Sequence, residues 1–341
     1  MNKLITIIKE LTDIDGISGD EFKVREYILD KIKNHIDSCH IDSIGNLIVF
    51  KKGKYKAENK VMLSAHMDEV GFIITNIEDN GLLSFATIGG IDTRSYLGKT
   101  VRIGSKRHIG VIGAGACHLA KSFDIAEPKD LRIDIGATTK EEALKYVSIG
   151  ESVCFDSDYI EFGDDRIKAK ALDDRAGCAI MMDIIMQPEI EYDLHFAFLV
   201  QEEVGMRGAY TAAYYVKPDY AIVIESTTAS DIAGVKGADR ACIQGEGAVV
   251  PFADGATLYS RELLNIIFDT AKEIEAKAQN KTMIAGGTDA GAIHQSETGI
   301  KASTISMPCR YIHSGSSMLK KSDILDTRKL VYAVANKYCF L

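Results

Sequence analysis

Apolar residues at Leu4, Ile7, Ile8 and Leu11 fall on one side of a 3.6-residue repeat and predict an amphipathic helix over residues 1–10. Asp15-Gly16-Ile17-Ser18-Gly19 breaks that repeat. Ser18 with Glu21 then fits a capping box opening a second helix, with Phe22, Val24, Ile28, Leu29 and Ile32 as its inner stripe. Residues 41–44 and 47–50 read as a hairpin around Gly45-Asn46, and residues 61–68 as a short buried strand ending in His66-Met67-Asp68. From about Gly71 the pattern turns strand-rich. A hairpin around Asp79-Asn80-Gly81 is followed by short strands near residues 100–103, 110–113, 132–135, 152–155 and 159–162. One helix interrupts them over residues 140–146, capped by Thr139 with Glu142 three residues on.

After residue 168 the α/β alternation returns. Asp173-Asp174 opens an apolar helix, and an apolar run over residues 194–200 delivers Glu202-Glu203. A helix over 208–216 follows, then a strand over 220–224 ending at Glu225 and a long helix from Ser260 to about Lys277. Gly286-Gly287-Thr288-Asp289-Ala290-Gly291 opens a further helix. A strand over 303–307 leads to His313, and Asp323 is placed to cap the final helix. The chain is therefore expected to be α/β, with residues 1–70 and 165–341 forming one unit and residues 71–164 inserted as a β-rich one.

Composition narrows the function. The chain has 341 residues, 46% hydrophobic and 26% charged, enough to bury a large core. A net charge of −9 argues against nucleic acid as a partner, since that calls for a basic face. Seven cysteines, Cys117 among them, form no CxxC pair, which suggests small core residues in a reducing compartment. No apolar run approaches a membrane span and residues 1–10 do not resemble a secretory signal, so the cytoplasm is the expected location.

Candidate chemistry gathers at strand ends and helix starts: His66, Asp173, Glu202, Glu203, Glu225 and His313. In an open α/β sheet such positions share one rim although they are distant in sequence. Two imidazoles with several carboxylates make a borderline N/O donor set suited to zinc, cobalt or manganese, and one carboxylate could bridge two ions. Asp68 could accept the second ring N–H of His66. Each residue alone has an ordinary structural explanation: a hydrogen-bonded histidine, a helix-capping Asp173, a solvated Glu225, a simple glycine turn. Joint placement on one rim favours a site. No Gly-x-Ser-x-Gly elbow is present, which disfavours a serine hydrolase.

The segments Ser64-Ala65-His66-Met67-Asp68-Glu69-Val70-Gly71, Ala171-Leu172-Asp173-Asp174-Arg175 and Val200-Gln201-Glu202-Glu203-Val204-Gly205 carry a resemblance. So do residues 286–294 and 308–314. In order and spacing they resemble the tetrahedral (TET-type) di-metal aminopeptidases, which include glutamyl and deblocking aminopeptidases and members labelled cellulase M or endoglucanase. That resemblance implies a mixed-sheet zinc-peptidase (phosphorylase/hydrolase-like) catalytic domain with an inserted β-rich dimerisation domain. It implies two divalent ions, Zn2+ or Co2+ with Mn2+ as a further candidate, and short peptides as substrates. Asp173 would bridge, His66 and Glu225 would complete one ion, and Glu203 and His313 the other. Glu202 would be the general base, Asp68 the partner of His66, and Gly287, Thr288 and Asp289 would line the substrate cleft. Dimers would build a tetrahedral dodecamer. The chain departs at Glu225, where many members have aspartate.

The residues leave rivals open: a di-metal deacylase or carboxypeptidase, a glycosidase resting on the carboxylates alone, and a metal-stabilised scaffold. The preferred N-terminal side chain is not readable. Lys236 and Arg240 are cations that could meet an acidic one, surface positions being the plainer reading.

Overall fold

The computed structural model describes residues 2–115 and 127–341, so Cys117 lies outside the described residues. Its elements run α1 (Asn2–Asp13), α2 (Phe22–Ile32), β1 (Ser38–Ile41), β2 (Leu47–Lys51) and β3 (Val61–His66). Next come β4 (Gly71–Ile77), β5 (Leu83–Ile88), β6 (Thr100–Ile103), β7 (His108–Gly113), β8 (Arg132–Asp134), α3 (Lys140–Ala143) and β9 (Ser152–Phe155). Then follow β10 (Ile160–Phe162), β11 (Arg166–Ala169), α4 (Leu172–Ile185), β12 (Leu194–Leu199), α5 (Arg207–Val216) and β13 (Tyr220–Thr228). The chain ends with β14 (Ala248–Pro251), α6 (Arg261–Glu273), β15 (Ala278–Lys281), α7 (Asp289–Ile293), β16 (Lys301–Cys309), β17 (Ser317–Lys320) and α8 (Lys321–Tyr338).

Eight strands form a mixed sheet in the order β1-β2-β12-β3-β13-β16-β14-β15. Its centre, β12-β3-β13-β16, is parallel, with Leu199 opposite His66 and Glu225 opposite Ser306. These strands are buried at nearly every position because both faces are covered, and β12 and β3 are apolar over most of their length. Leu63, Ala65, Phe196, Phe198, Ile222 and Ile224 pack with α1 and α4 on one side. Met62, Ala197, Leu199, Ala221 and Val223 pack with α5 and α7 on the other. Each large side chain buried this way contributes about 1.5–3 kcal/mol. Parallel direction brings the C-terminal ends of the four central strands to one rim.

Six strands close a barrel in the order β4-β5-β8-β7-β6-β9, and all neighbours are antiparallel. Closure leaves no free edge to pair with another chain. Phe72 fills its interior, with Phe85, Tyr96 and Phe155 packed edge-on at ring distances of 5.1–5.4 Å. The strand expected near residues 159–162 lies outside the barrel. It is β10, in a three-stranded sheet with β11 and β17. Among the described residues no helix is long and apolar enough to cross a membrane.

Three expected caps fare differently. Thr139 does cap α3, accepting the N–H of Glu142 at 3.2 Å. Ser18 and Glu21 form no capping box: the Ser18 hydroxyl donates to Asp68 at 2.6 Å, and Glu21 accepts from Gly19 and Gln201. Asp323 does not cap α8 either, because its carboxylate accepts the N–H groups of Gly245 and Gly247. In each failure a partner distant in sequence outcompetes the local one: an acceptor for Ser18, and donors for Glu21 and Asp323. Of the α2 stripe, Val24, Ile28 and Ile32 are buried and Leu29 packs half-buried against the core, whereas Phe22 is exposed under the Arg25 guanidinium.

Candidate metal centre

His66 ends β3, with its ring buried and its Nδ1 3.0 Å from the Asp68 carbonyl oxygen. The Asp68 carboxylate is farther, at 3.5 Å, and is engaged elsewhere. It accepts the backbone N–H of Glu202 at 3.0 Å, that of Glu203 at 3.2 Å, and the Ser18 hydroxyl. Asp68 was expected to orient His66 through its carboxylate. Its main-chain carbonyl is the nearer acceptor for that ring, and the carboxylate, 3.5 Å from the same nitrogen, also anchors the Glu202-Glu203 turn.

That turn begins where β12 ends. Gly208 closes it by bringing its N–H to the Val200 carbonyl at 3.0 Å, an approach so tight that a Cβ would sit 2.4 Å from the Asn46 amide oxygen. Asn46 in turn accepts the N–H of Val200 and donates to Asp42, Gly208 and Thr211. The two glutamates are thus presented on a frame tied at both ends.

Asp173 and Asp174 divide two tasks between them. Asp174 turns inward and caps the helix, accepting the N–H of Gly177 at 3.1 Å. Asp173 aims its carboxylate at the histidines: Oδ1 lies 3.5 Å from His66 Nε2 and Oδ2 3.3 Å from His313 Nε2. Glu225 lies 3.7 Å from His66 Nε2, and Glu203 lies 3.4 Å from His313 Nε2. Glu225 sits inside β13 rather than at its end, because pairing with β16 carries the strand on to Thr228 opposite Cys309. His313 stands on the loop between β16 and β17, its Nδ1 2.9 Å from the carbonyl of Gly90 after β5.

All four imidazole–carboxylate contacts are longer than ordinary N–H···O hydrogen bonds of about 2.7–3.2 Å. The two Asp173 contacts and the Glu203 contact match the edges of a tetrahedron around an ion with ligand bonds of about 2.0–2.2 Å, roughly 3.3–3.6 Å, and the Glu225 contact at 3.7 Å is slightly longer. Buried carboxylate oxygens at Asp173 Oδ1 and Glu225 Oε1 have no hydrogen-bond partner, which a cation would remedy. Titration points the same way. Burial pushes the Glu203 carboxyl up to about 8, and it holds that of Glu225 well above the usual range. Burial pulls on His313, yet the Asp173 and Glu203 carboxylates hold its imidazole up at about 9. His66 is likewise held well above its ordinary value by Asp173 and Asp68 against the effect of burial. A metal-free cluster of this kind stores protons that a divalent cation would displace. The residues fit a metal.

These side chains line a cavity of about 380 Å3 together with Met206, Gly287 and Thr288. Glu202 faces it and contacts neither histidine at ion-pair distance among the described residues; burial raises its carboxyl to about 7. Asp289, expected to line the cleft, is fully buried, and only Gly287 and Thr288 of that trio reach the cavity. Lys236 and Arg240 are exposed and do not line it. Lys281 does, a residue that no sequence pattern singled out.

Asp68→Asn should lower activity or metal affinity by about 10–100-fold, the usual cost of disturbing an outer partner of a metal site. The amide cannot accept two N–H groups and a hydroxyl at once. Steady-state kinetics with metal titration checks this, and an unaltered variant contradicts the anchoring role.

The profile of the M42 glutamyl aminopeptidase family matches residues 45–330. Aminopeptidase APDkam598 of Desulfurococcus kamchatkensis superposes with a TM-score of 0.93 at 34% identity, covering 97% of this chain and 94% of its own. The TET1 peptidase of Pyrococcus horikoshii, which can assemble into a tetrahedron or a large octahedral shell, superposes with a TM-score of 0.85 at 35% identity, covering 97% and 99%. The glutamyl aminopeptidase of Lactococcus lactis subsp. cremoris is 29% identical over 97% of this chain and 96% of its own. The lysyl aminopeptidase of Pyrococcus furiosus is 28% identical over 96% and 95%.

Proposed function

Because the chain belongs to the M42 glutamyl aminopeptidase family, and is therefore a peptidase, we propose that it is a co-catalytic di-metal aminopeptidase releasing N-terminal residues from short peptides. One observation carries this reading: both oxygens of Asp173 face imidazoles across contacts that are longer than ordinary hydrogen bonds and right for tetrahedral edges. His66, Asp173 and Glu225 would hold one divalent ion, and His313, Asp173 and Glu203 the other. The N/O donor set suits Zn2+ or Co2+, with Mn2+ also within its range. When bound, the ions would polarise the scissile carbonyl and bring the pKa of a shared water towards about 7.

The rest of the chemistry falls to the chain. Glu202 would take the water's proton on its carboxylate and hand it to the leaving amine. Asp68 would hold the Glu202 N–H so that this carboxylate stays aimed into the cavity. Gly287 and Thr288 would border the substrate. The unit at residues 71–164 would be the inserted dimerisation part. In support, the barrel has its own apolar core and exposes Ile109, Val111, Leu144, Tyr146 and Ile149. Dimers would then build a hollow particle of the kind named for the Pyrococcus horikoshii relative. Six unpaired cysteines among the described residues support a reducing cytoplasm.

The test uses purified protein stripped by chelator and reloaded with zinc, cobalt or manganese. Peptides with a free N-terminal amine should be trimmed only after reloading, and N-acetylated counterparts should resist. Turnover in chelator, or equal cleavage of acetylated peptides, overturns the reading. Light scattering on the same sample should report an oligomer, and a strict monomer contradicts the assembly.

A further inference from the structure

We infer that Lys281 recognises a carboxylate on the substrate's N-terminal residue, so that glutamyl and aspartyl ends are selected over their neutral counterparts. This rests on the aminopeptidase reading and deepens it. The names of the relatives, glutamyl and lysyl, point to side chains of opposite charge. Family membership therefore leaves the sign of the preferred residue open, and the cavity of this chain decides it.

Lys281 closes β15, the edge strand of the large sheet, opposite Pro251 on β14. It lines the same cavity as His66, Glu202 and His313. Every other charged or imidazole side chain there belongs to the metal cluster or is Glu202. Lys281 is the one lysine or arginine on the wall among the described residues. Its Nζ donates to the Ala285 carbonyl at 3.1 Å and forms no ion pair among the described residues. An ammonium has three donors. One is spent on Ala285, and two remain for an incoming acceptor.

The chemistry selects the ligand. An unpaired cation in a partly enclosed wall is attracted most strongly by an anionic acceptor, because charge-assisted hydrogen bonds are about twice as strong as neutral ones. A carboxylate offers two oxygens to the free donors. A carboxamide of the same shape offers one neutral oxygen, and a lysyl or arginyl side chain meets like charge. Thr227 and Thr228 line the same cavity, and their hydroxyls can take up a remaining carboxylate lone pair.

The experiment compares aminoacyl anilides, which carry no C-terminal carboxylate, on the metal-loaded full chain. Wild-type kcat/KM should favour Glu over Gln, and Asp over Asn, by roughly 10- to 100-fold, the size of one charge-assisted hydrogen bond. Lys281→Met should bring the Glu/Gln ratio to within about threefold, a residual difference below 1 kcal/mol. Lys281→Arg, which keeps the charge, should keep most of the preference. Glutamate should also inhibit wild type as a product better than glutamine does, a measurement that needs no variant.

A wild-type ratio near one, or a ratio unmoved by Lys281→Met, overturns the assignment. The other source of a carboxylate is the C-terminus of a dipeptide, read by comparing Leu-Gly with its amide. If Lys281→Met changes that comparison and leaves the Glu/Gln ratio intact, Lys281 binds the peptide's far end and the proposal is wrong. Leucyl turnover without a glutamyl preference sinks this inference alone. No turnover of any aminoacyl substrate, with any metal, sinks the aminopeptidase reading and this one with it.

Discussion

Glu202→Gln should cut kcat by about 10²–10⁴-fold, the range attributed to a positioned general base. Metal content should stay at the wild-type level. The two readouts separate because Glu202 makes no ion-pair contact with His66 or His313, whereas Glu203, one residue on, lies 3.4 Å from His313. Glutamine keeps the shape and the backbone N–H that Asp68 accepts, so the turn should hold. What it lacks is a site for the proton. In the metal-free chain burial raises the Glu202 carboxyl to about 7. Two cations beside it would lower that value, since they favour the ionised form. A base must be ionised to work, so wild-type kcat should fall as pH drops through a point below 7. The glutamine variant should lose that acidic limb. Retained turnover, or an unchanged limb, removes Glu202 from the role.

Asp173→Asn should be the more damaging change for metal. Asp173 is the carboxylate that reaches both imidazoles, one through each oxygen. Neutralising it weakens two ligand sets at once. Bound metal should drop well below two per chain, and activity by about 10³-fold or more, corresponding to several kcal/mol of lost transition-state stabilisation. Stability offers a second readout. Although burial pushes the Asp173 carboxyl up, His313 and His66 hold it well below the usual range, so the variant should be somewhat less stable without metal, and the metal-induced shift rather than the absolute Tm is the readout. Wild type should gain about 2.7 kcal/mol when metal is present at 100 times its dissociation constant, and the variant should gain little. Melting curves with and without zinc or cobalt would show it. Equal metal-induced shifts in Tm for both proteins would count against the bridging role.

Much of this was legible because the signals are local. The apolar run 194–200 and the paired glutamates after it sit in one short stretch, and burial on both sheet faces makes such runs nearly continuous. The helix opened by Asp173-Asp174 and the central strands follow from apolar runs in the same way. Other features were hidden for equally physical reasons. β15 is Ala278-Gln279-Asn280-Lys281, with no apolar alternation, and becomes a strand only because β14 offers its backbone. Its last residue, Lys281, carried no pattern, yet adjacency in the sheet brings it to the cavity wall. Ser18 looked like a cap and is instead a donor to a carboxylate fifty residues away. Asp173 and Asp174 were indistinguishable in sequence. Packing sends one to the histidines and the other to Gly177.

By itself the sequence determined most of the helices and strands, which residues could ligate a metal, and the order in which they arrive, because these depend on side-chain type and on spacing within a few residues. Tertiary structure decided which oxygen faces which imidazole, that the Asp68 carbonyl lies nearer the His66 ring than its carboxylate does, and that Lys281 rather than Lys236 or Arg240 borders the cavity. Those outcomes depend on competition among donors and acceptors far apart in the chain. Such a contest has a winner only once parallel strands have brought their ends to a common rim.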